Sequence, residues 1–241
     1  MLRLAKKTDG RQFCFRISLF FSHFRIRESA VFLGEWMASH VLNDLECVSK
    51  DCVKCLFDGG TAFFVRLSYL EHFCLDDAAP GAELLDEDFA DFVQAGEAFS
   101  AEKSAVAYLA GREHSRSQLR LKLLKKKHSE EACTKALDFL EREGWLSDRR
   151  FAEEWLRSRG AKRFEGRSRL LMELQGRGVE RMLAAEAVDR FFEDNSEEEQ
   201  FEKACKKLEK QGKKGEKLVN ALIRLGFSSK LISKRYKKFE D

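Results

Sequence analysis

The stretch 117–128, "SQLRLKLLKKKH", places Leu119 and Leu123 four residues apart, so they share one face of a helix, and surrounds them with five lysines or arginines. Whether this basic helix stands alone or is one copy of a repeated unit decides the fold. Leu119 aligns with Leu170 and Leu218, which are 51 and then 48 residues further along. The apolar phase then holds through each copy. Its columns are Leu123, Leu174, Leu222; His128, Val179, Phe227; Ala132, Leu183, Leu231; Leu137, Val188, Tyr236; and Leu140, Phe191, Phe239.

Each copy is preceded by another helical apolar pattern: Val106, Leu109 and Ala110 in the first, Phe151, Trp155 and Leu156 in the second, Phe201, Ala204 and Leu208 in the third. The unit is therefore a triplet of helices, in copies expected at residues 101–147, 148–195 and 196–241. Between the second and third helix of each copy lies a tight connection: "KKHS", "RGVE" or "LGFS". Gly178 and Gly226 suit a left-handed helix stop there, and Ser129 and Ser228 suit the next N-cap. Lys127 occupies the glycine column of the first copy, where the stop requires strain or another geometry. A short turn between two helices also resembles a helix-turn-helix. Three such units predict a mainly helical, elongated array whose apolar columns are buried within and between triplets, leaving charge outside.

Upstream the pattern changes. Residues 37–100 read as a small α+β cap domain. In "ECVSKDCVKCLFDGGTAFFVRL", β-type runs flank "DGG", a hairpin signal because glycine accepts positive φ. "DDAAPGAELLDEDFADFVQAGEAF" follows, with Glu83, Asp86, Glu87, Asp88 and Asp91 around Leu84, Leu85, Phe89 and Phe92, and reads as a short acidic helix. Residues 1–36 form a poorly defined basic and aromatic extension. Two readings stay open for it: sequence upstream of a start at Met37, or an amphipathic surface segment.

Composition supports helices. The chain of 241 residues has 44% hydrophobic and 35% charged residues and a single proline. Its net charge of +3 conceals an asymmetry: residues 39–100 carry 3 basic and 13 acidic side chains, residues 101–241 carry 34 and 25. A basic array behind an acidic head suits a negatively charged partner. Seven scattered cysteines fit a reducing cytoplasm better than a secreted scaffold. The run "FCFRISLFFSHFRIR" is broken by Arg16 and His23, so neither a membrane span nor a secretion signal is expected.

No phosphate-binding loop, HExxH, GxSxG or dinucleotide fingerprint is present, and the five histidines are scattered, so catalysis is not expected. "CVKC" has zinc-like spacing, with Cys47, His72 and Cys74 near it in sequence. Cys52 and Cys55, however, lie three apart on an expected strand, which points them to opposite faces, and no second CxxC follows. Neither metal nor cofactor is expected. The sharper signal is basic: Arg112, Arg116, Arg120, Lys122, Lys125, Lys126 and Lys127 in the first copy; Arg157, Arg159, Lys162, Arg163, Arg167 and Arg169 in the second; Lys206, Lys207, Lys210, Lys213 and Lys214 in the third. Arg116 and Arg120, four apart, read as an exposed pair on one face. Alternation with acids, as in "HSEEACTKALDFLERE", is what a solvated helix face also shows.

The stretches "REHSRSQLRLKL", "LEREGWLSDRRFAEEWLRSR" and "GRSRLLMELQGRGV", with a G-x-x-x-L-x-x-E-L-x-x-x-G pattern from Gly166 to Gly178, resemble the RecX family of bacterial recombination regulators over roughly residues 42–241. The third copy is more divergent, and residues 1–36 have no counterpart. The resemblance implies a cytoplasmic protein of three tandem three-helix repeats that binds the RecA nucleoprotein filament and restrains strand exchange, ATP hydrolysis and co-protease activity; a monomer is expected. The basic clusters read above supply the expected surface for RecA or DNA: Arg112, Arg116, Arg120, Lys122, Lys125, Lys126, Arg157, Arg159, Lys162, Arg163, Arg167 and Arg169, with single- or double-stranded DNA as a further partner. From the residues alone, a tandem helix-turn-helix-like DNA binder without RecA dependence stays open.

Overall fold

The structure is a computed structural model that describes residues 40–70, 79–160 and 163–237. Residues 1–39, which include the N-terminal extension, lie outside the described part, as do His72, Cys74, Lys162 and Phe239. The chain divides into two compact units, residues 1–93 and 94–241.

In the first unit, β1 (His40–Ser49), β2 (Cys52–Phe57), β3 (Ala62–Arg66) and β4 (Ala82–Leu84) form an antiparallel sheet in the order β3-β2-β1-β4. The expected hairpin is β2–β3. Gly59 and Gly60 take φ of 68° and 81°, and the Phe57 N–H donates to the Thr61 carbonyl at 2.8 Å. Alternation along β2 sends Val53, Cys55 and Phe57 into the core, where the Phe57 ring meets Phe63, Phe89 and Phe92 edge-on.

Two features here differ from the expectation. The sheet has two strands beyond the hairpin, and Ala82–Leu84, read as helix, pairs with His40–Leu42. Gly81, at φ 92°, turns the chain and donates its N–H to the Leu42 carbonyl at 2.7 Å, which joins β4 to β1. The expected short acidic helix and the first helix of the first triplet are also one continuous helix, α1 (Asp86–Leu109). Asp86, Glu87 and Asp88 favour its N-terminal turn, and no proline interrupts it.

The triplets continue with α2 (Arg116–Lys125) and α3 (Glu130–Arg142); α4 (Asp148–Gly160), α5 (Arg167–Gln175) and α6 (Arg181–Asp194); then α7 (Glu197–Lys210), α8 (Gly215–Arg224) and α9 (Ser229–Lys237). The leucine columns at 119/170/218 and 123/174/222 are buried in all three copies. Leu137, Leu140 and Val188 are buried as well, whereas Leu183, Phe191 and Leu231 are half-buried. The aligned residues here miss the core: Val106 and Leu109 of α1 are half-buried, and Ala110 just beyond it is exposed. After Phe92 the fully buried apolar positions of α1 are Ala95, Ala98, Ala101 and Ala105, small side chains that let a helix pack closely and that a search for large apolar residues passes over.

The three turns share one geometry. The N–H groups of His128, Val179 and Phe227 reach back to the carbonyls of Leu123, Leu174 and Leu222, and those of Lys127, Gly178 and Gly226 to Leu124, Gln175 and Ile223. This is the Schellman helix stop. Lys127 meets the same demand at φ 68°, the only non-glycine positive φ among the described residues. Ser129 and Ser228 cap α3 and α9 as expected, accepting from the N–H groups of Ala132 and Leu231 at 3.2 Å each.

Candidate basic interface

The basic residues singled out from sequence fall into two groups. Most arginines are held by acids, of their own helix or of a neighbouring element. Arg116 bridges from α2 to α3, donating to Asp138 and Glu141 at 2.6 Å each, and Arg120 grips Glu130 with two bonds. Arg116 is half-buried, not on an open face. Arg159 donates to buried Glu165 at 2.6 and 3.0 Å. The Glu173 carboxylate gathers Arg169 and Arg177 at 2.7 and 2.6 Å, and these bonds hold it below the usual carboxylate range, the one from Arg177 foremost. Arg159 and Arg177 also lie 4.9 and 4.7 Å from the ring of Trp155. Arg167 pairs with Asp189 on α6 and Glu197 on α7, and Arg157 with Glu154. Arg163 is exposed.

Of the remaining cations, the third-triplet Lys206, Lys207, Lys210 and Lys214 are, like Arg163, exposed, and a further group lies on the first triplet. Lys122 Nζ lies 3.2 Å from His114 Nε2 and 4.3 Å from the centre of the Tyr108 ring; Lys126 Nζ lies 5.2 Å from the same ring and 3.4 Å from Ser104 Oγ. Ammonium has only protons to offer, so Nε2 must accept. The His114 proton then sits on Nδ1, facing Gln118 Oε1 at 3.4 Å. Burial lowers the His114 pKa, and the nearby charges of Lys122 and Arg112 add to the effect. The Lys122 pKa is lowered too, by burial and then by Arg112. Among the described residues no acid pairs with Arg112, Lys122, Lys125 or Lys126. Glu113, the nearest carboxylate in sequence, is spent on Arg150 at 2.8 Å. The result is a patch of uncompensated positive charge with an aromatic floor, which is suited to an anionic surface. Tyr108 and His114 were missed from sequence; the signal available was His114 just before the Ser115 cap of α2, four residues before Gln118 and eight before Lys122.

Among the described residues no three His, Cys, Asp or Glu side chains converge to hold a metal. Cys52 and Cys55 do alternate across the strand, yet both are buried, and burial together with the neighbouring Cys52 pushes the Cys55 thiol up to about 12. No described helix is long and apolar enough to cross a membrane.

Family models described as "RecX, first three-helix domain" and "RecX, second three-helix domain" match residues 101–140 and 147–188. The chain is 36% identical over 152 residues to "Regulatory protein RecX" of Treponema pallidum (strain Nichols), covering 63% of this chain and 93% of that protein. The chain belongs to the RecX family. A RecX protein of Ralstonia pickettii (strain 12J) is 45% identical over 71 residues, covering 30% of this chain and 43% of that one. A solved structure titled "Crystal structure of regulatory protein RecX" superposes with a TM-score of 0.64 at 21% identity, over 80% of this chain and 97% of that one, which shows the shared fold. The two RecX domain models end at residue 188, so the third triplet of this RecX-family chain is seen in the structure and not in those matches.

Proposed function

We propose that the chain binds the RecA nucleoprotein filament in the cytoplasm and restrains its recombinase, ATPase and co-protease activities in DNA repair and the SOS response, without catalysis of its own. The observation that carries this reading is the uncompensated patch of Arg112, Lys122, Lys125 and Lys126 in a chain of repeated triplets. A polymeric anionic target rewards such a chain, because contacts that are weak singly become tight when linked. The relatives' name as regulatory proteins supports the same reading.

The test is RecA ATPase on single-stranded DNA titrated with purified protein. Inhibition is expected at or below stoichiometry. The combined variant Arg112→Glu, Lys125→Glu, Lys126→Glu should need about tenfold more protein while melting as before, since exposed charges contribute little to folding. Unaltered ATPase at stoichiometric protein, with tight binding to bare DNA, would instead identify a tandem helix-turn-helix-like DNA binder that acts without RecA.

A further inference from the structure

Leu119 and Leu123 are buried on α2, and Leu170 and Leu174 on α5. Midway between each pair stands one more apolar residue, Leu121 and Met172, which a 100° step per residue turns to the opposite side of its helix. Both are exposed, at 54% and 57%. They are 51 residues apart, the spacing of the first two leucine columns, so each occupies the same place in its triplet. Neighbouring positions differ between the copies: Arg120 corresponds to half-buried Leu171, Lys122 to Glu173, and exposed Lys125 to exposed Gly176. A single exposed leucine is ordinary, but the same outward apolar position filled in two joined triplets is less so.

The joint between these triplets is built, not loose. Ser115 Oγ donates to the Arg177 carbonyl at 2.6 Å, and a Cβ on Gly178 would fall 2.2 Å from Ser117 Cβ. The two apolar side chains therefore belong to helices held in fixed relation. Each also has a cation one turn away: Lys125, with no acid partner among the described residues, four residues after Leu121, and Arg169, part-exposed but paired with Glu173 at 2.7 Å, three before Met172.

We propose that Leu121 and Met172 are paired docking knobs, each entering an apolar, acid-rimmed pocket on successive protomers of the polymeric partner. This rests on the filament reading above and adds the kind of contact made to protein, as distinct from phosphate. A partner that repeats at a fixed interval is what two equivalently placed, rigidly linked knobs fit, and the unpaired Lys125 beside Leu121 calls for an acid at the pocket rim.

The experiment measures binding of labelled full-length protein to preformed RecA filaments on single-stranded DNA, and to the same DNA bare. Leu121→Ser and Met172→Ser should each weaken filament binding about tenfold, as loss of a buried aliphatic side chain does, and together about a hundredfold. Ile223→Ser is the matched control: it is 52% exposed on α8 but outside the column, and should change affinity less than about twofold. Bare-DNA binding and melting should be unchanged in all four variants. Filament affinity within about twofold of wild type in the double variant overturns the proposal, and so does an equal loss from Ile223→Ser or a parallel loss on bare DNA. If the double substitution instead splits a dimer in sedimentation of the protein alone, the knobs serve a second copy of this chain and the proposal falls. Wild-type protein that ignores the filament altogether ends the functional reading itself, a result distinct from knobs that do not matter.

Discussion

At the scale of single residues, the glycine column shows how one backbone demand is met in two ways. All three second helices stop through a left-handed residue, at φ 68° for Lys127, 83° for Gly178 and 87° for Gly226. Gly178 and Gly226 cannot be replaced, and the reason is contact as much as conformation: a Cβ would lie 2.2 Å from Ser117 Cβ in one and 2.3 Å from the Arg169 nitrogen in the other. Lys127 is exposed, so its side chain is tolerated and only the backbone strain remains. Lys127→Gly should accordingly stabilise the protein by about 0.5–1 kcal/mol, while Gly226→Ala should destabilise it by about 2 kcal/mol or more. Urea unfolding of the two variants checks both signs.

At the scale of elements, charge that looks like an open surface in sequence works as a clamp between helices. Arg116 ties α2 to Asp138 and Glu141 of α3, and its backbone N–H donates to Asp148 at the start of α4 at 2.7 Å. The same logic recurs where Arg167 reaches Asp189 and Glu197. Arg116→Glu would set three carboxylates together and should lower stability by about 1 kcal/mol, a modest figure because the cluster is part-exposed and screened. Arg112→Glu should leave melting unchanged. Thermal melting of the pair separates a clamp from a free cation, and adding Glu141→Lys to Arg116→Glu should recover part of the loss. Arginine and acid were both legible in the sequence, but which acid faces which arginine was not, because partners 22 and 25 residues apart meet only through helix packing.

At the scale of the whole molecule, an acidic sheet-bearing segment precedes a basic helical one, 13 acids to 3 bases over residues 39–100 against 25 to 34 beyond. Such a molecule should bind bare single-stranded DNA with a log–log salt slope of about −2 to −3, set by the few uncompensated cations. Binding to the filament, with apolar contacts added, should fall less steeply, and titrations at several salt concentrations compare the two. The sequence by itself determined the triplet repeat, the leucine columns, the glycine stops and the β2–β3 hairpin, because these follow from local periodicity and from backbone angles that few residues accept. Only the tertiary structure decided that α1 packs through alanines, that β4 closes the sheet against β1, and which cations stay uncompensated. Those outcomes depend on close approach and on charge partners distant in the chain, which no local pattern encodes.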